Sequence, residues 1–154
     1  MKGNPKVIEI LNEGLCAELT AINQYVIHGA MRKNWGYNKL AAKNHEESIE
    51  EMKHAQRLID RILFLEGVPN MQKYKKIEVG ADIKEQMQLE LNGELEAVAL
   101  YNNGVKICME AADNGTAEIF KQLLADEEGH VDWLETQVGL IDSLGVQQYL
   151  AQNL

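Results

Sequence analysis

The stretch "HEESIEEMKHAQRLI", residues 45–59, decides the fold because it places charged side chains on the stripe that a helix should bury. In a helix, Glu51 and His54 lie three residues apart on one face. Glu47 lies one turn earlier on that face, and Leu58 lies one turn later. The face that presents an apolar side chain to a core therefore also presents carboxylates and an imidazole. Such a face indicates a helix that buries a polar site.

The composition limits the classes of protein to which the chain can belong. The chain has 154 residues, of which 45% are apolar and two are prolines, and its net charge is −9. These values favour a single helical domain over residues 1–154. The acidic balance disfavours nucleic acid as a partner and suits the binding of cations. There is no apolar run near the roughly 18 residues needed to span a membrane.

Two further features bear on the cellular compartment. The start, "MKGNPKVIEI", has no apolar core of a signal peptide, so we expect a cytoplasmic protein. Cys16 and Cys108 stand outside the spacings typical of metal or redox motifs. We therefore expect two reduced thiols.

Four long segments show the 3.6-residue apolar period of a helix. Gly36 is expected to end the first, Gly67 and Pro69 the second, and Asn114 with Gly115 the third, while Asp82 is expected to cap the start of the third. A short amphipathic tail, "VQQYLAQNL", closes the chain. The predicted segments are 6–32, 38–66, 82–115 and 116–144.

The lengths of the connections predict how the helices are arranged. The first and third connections are short, so their flanking helices are antiparallel neighbours. The second, of roughly 15 residues, is long enough to run the length of a bundle. We therefore predict an all-α protein: a ferritin-like four-helix bundle with one long crossover and a short C-terminal fifth helix.

Each predicted helix carries a glutamate on its apolar stripe. Leu11, Leu15, Glu18, Ile22 and Tyr25 follow 4-3-4-3 spacing, and the same inward placement holds for Glu94 in the third helix. The second and fourth helices each add a histidine three residues after the glutamate. The six predicted site residues are Glu18, Glu51, His54, Glu94, Glu127 and His130.

Converging buried carboxylates need a positive counter-charge. A buried unpaired carboxylate costs several kcal/mol, and neighbouring carboxylates raise one another's pKa. Two divalent cations relieve this repulsion, and oxygen with imidazole ligands suits iron or manganese. The same ligand set forms the di-iron or di-manganese site of ferritin-like bundles, with Glu51 and Glu127 as the predicted bridges. Glu-x-x-His alone is a weak motif, and its strength here comes from four helices sharing one pattern.

Tyr25 and Tyr101 lie on the same inward faces. They are either core aromatics or hydrogen-bond donors to ligand carboxylates, and the spacing does not choose between these roles.

The chain resembles the bacterioferritins over essentially its whole length. The matching stretches are "MKG" at the start, "AINQY" (21–25), "NWG" (34–36), "EESIEEMKHA" (46–55), "RILFLEG" (61–67), "DEEGHVDWLETQ" (126–137) and "YL" (149–150). The ferroxidase ligands of the family fall on the six residues named above. The resemblance implies a 24-subunit shell of twofold dimers, in which oxygen or peroxide oxidises Fe(II) at a di-iron centre and Fe(III) mineral is stored.

The resemblance also implies a b-type haem at each twofold interface, held by one methionine from each subunit. That methionine corresponds to Met52, which is turned about 100° from Glu51 and therefore faces out of the bundle. Thioether sulfur is a soft ligand that suits haem iron. A ferredoxin-type electron donor is a further candidate partner, for reduction of the mineral through the haem.

The chain departs from many bacterioferritins at three positions. Glu46 and Glu50 stand where some members have a histidine and an aspartate that bind iron on the inner surface. Glu46, Glu47 and Glu50 are therefore further candidate metal ligands. Leu58 replaces an aromatic residue near the centre, which leaves Tyr25 and Trp133 as candidates for electron transfer.

Other functions remain open at this point. A di-manganese catalase or a substrate-oxidising di-iron protein has the same ligands, but usually with larger insertions. A scaffold subunit that only builds shells would not need complete ligands. A DNA-protecting mini-ferritin takes its ligands from a subunit interface and is disfavoured by the acidic charge.

Overall fold

The computed structural model describes all 154 residues and contains five helices and no strand. This confirms the all-α prediction of a four-helix bundle with a short C-terminal helix. The five helices are α1 (Pro5–Asn34), α2 (Asn38–Phe64), α3 (Ile83–Glu110), α4 (Asn114–Leu144) and α5 (Val146–Ala151). None of them is both long and apolar enough to cross a membrane.

Side chains cap the start of three helices. Asn4 accepts a hydrogen bond from the backbone N–H of Lys6 at the start of α1, where Pro5 needs no donor partner. Asp82 caps α3 as predicted, accepting from the N–H of Glu85. Asp113 caps α4 by accepting from the N–H of Thr116.

The helix ends differ in part from the prediction. Gly36 follows α1 with φ of 90°, as expected of a glycine stop. The left-handed residues after α2 and α3, however, are Glu66 (φ 63°) and Ala112 (φ 56°). The prediction that Asn114 and Gly115 end the third helix is wrong, because both lie in the first turn of α4.

Packing explains why position 115 is occupied by a glycine. A Cβ there would approach the Arg61 guanidinium within 2.7 Å, and that guanidinium donates to Asp113. The capping aspartate thus sets the helix boundary, and the glycine makes room for its partner.

Contacts across the bundle give the helix directions. Between α1 and α3, Tyr25 meets Glu94 and Glu18 meets Tyr101, so the two helices are antiparallel. Between α2 and α4, His54 meets Asp126 and Arg61 meets Asp113, so these are antiparallel too. Because the α1–α2 and α3–α4 hairpins also reverse direction, α2 and α3 run the same way. The connection between them must therefore travel the length of the bundle.

This crossover, residues 65–82, lies along α1. Asn70 N–H donates to Asn12, Lys75 N–H donates to Thr20, and Gly80 N–H donates to His28 Nε2. These partners succeed one another along α1, so the crossover is fastened to the helix at intervals. The predicted long crossover is confirmed.

The buried apolar side chains form two separate clusters with polar residues between them. The first includes Leu11, Leu15, Leu58 and Phe120. The second, smaller cluster includes Leu40, Met87, Leu91, Leu134 and Ile141, together with Tyr149 from the α5 helix. Ile27 of α1 belongs to neither cluster and is 38% exposed.

A buried charged network joins α1, α2 and α3, and the sequence pattern gave no sign of it. Arg32 donates to Glu90 at 3.0 Å, to Gln86 at 2.9 Å and to Asn44. The same Glu90 oxygen also accepts from Asn44 and contacts His28 Nδ1 at 2.8 Å. Since His28 Nε2 accepts from the Gly80 backbone, the Nδ1 of this imidazole carries the proton that faces Glu90.

Candidate metal centre

The structure brings all six predicted site residues together in the middle of the bundle. Each is at most 7% exposed, and they come from four different helices of one chain. The helical period alone accounts for this convergence, because each residue occupies a mid-helix position on an inward stripe. The six are Glu18, Glu51, His54, Glu94, Glu127 and His130.

The six residues form two overlapping sets that can each hold one cation. In each set the ligand atoms lie within 4.8 Å of one another. Glu51 and Glu127 belong to both sets, which is the property required of bridging carboxylates. We name the sets by their imidazoles. The His54 position comprises Glu18, Glu51, His54 and Glu127, and the His130 position comprises Glu51, Glu94, Glu127 and His130.

Each imidazole turns the same nitrogen toward the carboxylates. His54 Nδ1 lies 2.8 Å from Glu127 Oε1. His130 Nδ1 lies 3.4 Å from Glu51 Oε1 and 3.5 Å from Glu94 Oε1. In both positions Nδ1 is therefore the nitrogen available to a cation.

The other nitrogen of each imidazole faces a carboxylate outside the six. His54 Nε2 lies 2.9 Å from Asp126 Oδ2, and His130 Nε2 lies 2.7 Å from Glu47 Oε2. A metal-binding histidine generally donates its second N–H to such a group, which fixes the tautomer and the ring orientation. Sequence reasoning missed Asp126, and nothing in the local spacing distinguishes it from a surface residue.

Two tyrosines hold the carboxylates that belong to only one position. Tyr25 donates to Glu94 Oε1 at 2.5 Å, and Tyr101 donates to Glu18 Oε1. Burial, together with the nearby carboxylate charges, raises the pKa of both phenols well above the usual value. Of the two roles left open by the sequence, the structure shows hydrogen bonding to the candidate ligands.

Protons balance the charge of the metal-free centre. Burial, followed by the neighbouring carboxylates, raises the pKa of Glu51 and Glu94 well above 4.5. Burial opposes the charged form of His54, but the close Glu127 and Glu18 carboxylates outweigh this and raise its pKa to about 11. The pKa of His130 is likewise raised against the effect of burial by Glu127, Glu47 and Glu94.

The donor set fits divalent cations. Glu18 Oε2 and Glu51 Oε1 are buried and have no hydrogen-bond partner. Buried carboxylate oxygens are normally satisfied, so atoms left open in a site lined by imidazoles are suited to metal ligation.

Two openings lead toward the centre. A cavity of about 440 Å³ lies beneath the crossover and reaches Glu18, Glu51 and Glu94. Lys75 and Lys76 of the crossover contribute to its lining. A second opening between α2 and α4 is lined by acidic residues and by the imidazole of the His130 position. Its charged lining residues are Lys43, Glu47, Glu50, Asp126, His130 and Asp132.

The further candidate ligands are not brought together as a set. Glu47 and Glu50 can share a cation with His130, and Glu50 can also share one with His54 and Asp126. Glu46 belongs to no such group. Its side chain is 68% exposed and lies 3.8 Å from Lys43 Nζ.

Met52 and Trp133 lie outside the ring of six. Met52 is 56% exposed on the outer face of α2, as the helical geometry predicts. Exposed Val26 and Ile49 stand on α1 and α2, so apolar side chains are presented on the same hairpin. Trp133 packs beside Lys43, whose Nζ lies 5.2 Å from the ring centroid.

Comparison with known proteins shows the family to which the chain belongs. The model of the ferritin-like domain matches residues 8–144 of this chain, so the chain is a ferritin-like protein. Bacterioferritin from Rhodobacter capsulatus is 49% identical, covering 99% of this chain and 95% of the relative. Bacterioferritin from Brucella melitensis is 48% identical (97% and 92%), and that from Mycolicibacterium paratuberculosis is 45% identical (99% and 96%). The chain belongs to the bacterioferritin family.

Proposed function

We propose that this protein stores and detoxifies iron, and that it is a ferroxidase that oxidises Fe(II) to Fe(III) at the six-residue centre. The observation that carries the proposal is the overlap of the two four-residue sets at Glu51 and Glu127. Two cations bound side by side can give up two electrons together. The family of the chain supports iron as the metal.

Fe(II) enters as substrate and replaces the protons of the metal-free centre. Glu51, Glu94 and the imidazoles release protons as they bind, since a ligand must be deprotonated to coordinate. The two cations then offset the repulsion that burial imposes on the carboxylates. The protein thus exchanges a protonated site for a metal-loaded one.

Dioxygen is the proposed oxidant, and the electrons balance for a two-electron step. Two Fe(II) lose one electron each, and O2 takes both together with two protons to give H2O2. When peroxide is the oxidant, two electrons and two protons convert it to two waters. Because the two electrons leave in one step, no one-electron oxygen radical need be released.

The residues around the six ligands hold the geometry. Tyr25 and Tyr101 orient the two carboxylates that serve only one cation, and Asp126 and Glu47 lie against the outer nitrogens of the imidazoles. The acidic opening between α2 and α4 suits the passage of cations toward or away from the site.

We further propose a 24-subunit shell of twofold dimers with the mineral inside it. Val26, Ile49 and Met52 are exposed apolar side chains on α1 and α2, which is the composition expected of a subunit interface. A site built wholly from one chain does not depend on that interface for its ligands. This separates the proposal from the mini-ferritin alternative.

Met52 is the proposed haem ligand. Its thioether is exposed on the outer face of α2, and soft sulfur suits haem iron, so Met52 would hold the haem. A b-type haem held by Met52 would supply electron transfer from a ferredoxin-type donor to the stored Fe(III).

Iron oxidation by the purified shell tests the function. Fe(II) is added in air, and formation of Fe(III) is followed by absorbance with wild type, Glu18→Ala and Glu94→Ala. Both variants should oxidise Fe(II) far more slowly while the shell still forms on gel filtration. Glu13→Ala and Glu110→Ala remove exposed carboxylates from the same helices and are the matched controls. Wild-type rates in both site variants would refute the proposed centre.

A further inference from the structure

The two imidazoles of the centre have different outer partners. His130 Nε2 contacts Glu47, whose side chain is 5% exposed. His54 Nε2 contacts Asp126, whose side chain is 45% exposed. Both positions use the Nδ1 of a histidine and the same bridging carboxylates. The two positions therefore differ in the outer partner of the histidine, which is not one of the six ligands.

Glu47 is itself held from the other side. Lys43 Nζ lies 2.7 Å from Glu47 Oε1, one helical turn away on α2. The same ammonium is placed over the Trp133 ring, 5.2 Å from its centroid, and its side chain is 27% exposed. Lys43, Glu47 and His130 therefore form a continuous chain of contacts from α2 to the centre.

Burial decides how strongly each outer carboxylate, Glu47 or Asp126, holds the imidazole that it contacts. Close groups of opposite charge attract strongly where water is excluded, whereas an exposed ion pair contributes little because solvent screens it. Glu47 can therefore hold the His130 ring in a fixed orientation. Asp126 lies where water competes for its oxygens.

We propose that Glu47, fixed by Lys43, is a positioning residue that makes the His130 position bind its cation more tightly than the His54 position does. The two positions of the centre are then unequal. One retains its cation and the other exchanges it more readily. This inference rests on the proposed two-metal site and adds to it the residue that sets the order of binding.

A competing use of Glu47 is direct ligation. Glu47, Glu50 and His130 lie close enough to share a cation on the outer side of the imidazole. In that case Glu47 would bind a third cation and not orient the ring. The contact with Lys43 opposes this, because the positive ammonium, 2.7 Å from Glu47 Oε1, repels a cation at this carboxylate.

The test uses Co(II) binding to the assembled, metal-free shell, followed by calorimetry and by the visible absorption of Co(II). Glu18→Ala leaves the His130 position nearly intact, and Glu94→Ala leaves the His54 position nearly intact. Glu47→Gln is then added to each, and it is compared with Asp126→Asn, the equivalent change beside His54. Gel filtration checks the assembly of every variant.

Glu47→Gln should weaken Co(II) binding about 10- to 100-fold in the Glu18→Ala background, the range seen for loss of an outer partner. It should change binding by less than about fivefold in the Glu94→Ala background. Asp126→Asn should change binding by less than about fivefold in either background. Glu47→Asp, which keeps the charge but shortens the reach, should also weaken only the His130 position.

Three results would overturn the inference. They are equal effects of Glu47→Gln in the two backgrounds, a larger effect of Asp126→Asn than of Glu47→Gln, or a third Co(II) per subunit that Glu47→Gln removes. Fewer than two Co(II) bound by the otherwise unaltered shell is a separate result. It would refute the two-metal site itself.

Discussion

Tyr25 of α1 donates a hydrogen bond to Glu94 of α3, and its counterpart Tyr101 of α3 donates one to Glu18 of α1. Each of these helices therefore positions a metal-site carboxylate carried by the other. The pairing fixes the register of α1 against α3, because sliding either helix by one turn would break both bonds.

The first prediction follows from this pairing. Tyr25→Phe keeps the ring but leaves a buried carboxylate without its donor, which costs about 1–3 kcal/mol. The thermal midpoint of the metal-free protein should fall by several degrees, measured by calorimetry. Tyr74→Phe, at a position 48% exposed, should leave the midpoint unchanged. A midpoint equal to that of wild type would show that the bond to Glu94 does not stabilise the bundle.

The second prediction concerns protons and pH. Glu51, Glu94 and the two imidazoles keep their protons in the empty centre because their pKa values are raised. Metal must displace these protons in order to bind. With the pKa of His54 at about 11, loading at neutral pH should release at least two protons per subunit from the imidazoles alone.

Because deprotonation precedes binding, the apparent affinity for Co(II) should rise with pH between about 6 and 8. Proton release can be measured with an indicator dye in weak buffer, and affinity by calorimetry at each pH. Affinity that is flat or falls with pH would show that the site is not protonated when empty.

The third prediction is that Glu51 has opposite effects on the empty and the loaded protein. Burial and the charge of Glu18 raise its pKa, so the ionised carboxylate is costly without metal. Glu51→Gln should therefore leave the metal-free thermal midpoint unchanged or raised. It should also abolish most of the gain from Co(II), which is about 2.7 kcal/mol per site at a ligand concentration 100 times Kd. Glu135→Gln, at an exposed position of α4, should keep the full gain.

The fourth prediction tests the haem. Met52→Leu preserves an apolar side chain of similar volume but removes the sulfur, so shells should assemble without haem absorbance. Met109→Leu changes a methionine of nearly equal exposure, 52% against 56%, and should retain the haem spectrum. A bis-thioether spectrum in the Met52→Leu shell would exclude this residue as the ligand.

The fifth prediction concerns the start of α4. Asp113 caps the helix and pairs with Arg61 at 3.0 Å. Although partial burial opposes its charge, the hydrogen bonds from Thr116 and Arg61 lower its pKa. Its contribution to stability is thus present above the unfolded value of about 3.9 and is lost as the pH falls below it.

Asp113→Ala should destabilise the protein by about 0.5–2 kcal/mol at pH 7, and the difference from wild type should shrink below pH 4. Asp142→Asn breaks an exposed pair with Lys84 and should have little effect at either pH. Thermal unfolding at pH 7 and at the lowest pH where the shell stays assembled compares the two variants.

The sequence predicted the elements that depend on helical period. Glu18, Glu51, Glu94 and Glu127 could be placed because a residue on an inward stripe faces the centre whatever its neighbours are. The long crossover followed from the length of the second connection. The boundary between α3 and α4 was harder to predict, because Asp113, which caps α4, is held by Arg61 of α2 through a contact between distant residues.

The surroundings of the site could not be predicted for the same reason. Asp126 and Glu47 reach the imidazoles across the gap between α2 and α4, and that contact depends on how the helices are rotated against each other. The Arg32–Glu90 network is likewise a meeting of three helices. A single amino-acid sequence carries no signal for such contacts between distant residues.

Because the buried apolar residues form two clusters, the bundle has a charged middle layer between two apolar ends. The apolar packing at each end can stay intact while cations bind in the charged middle layer. In the proposed function, iron would therefore pass through the subunit without separating the apolar contacts that hold its four helices together.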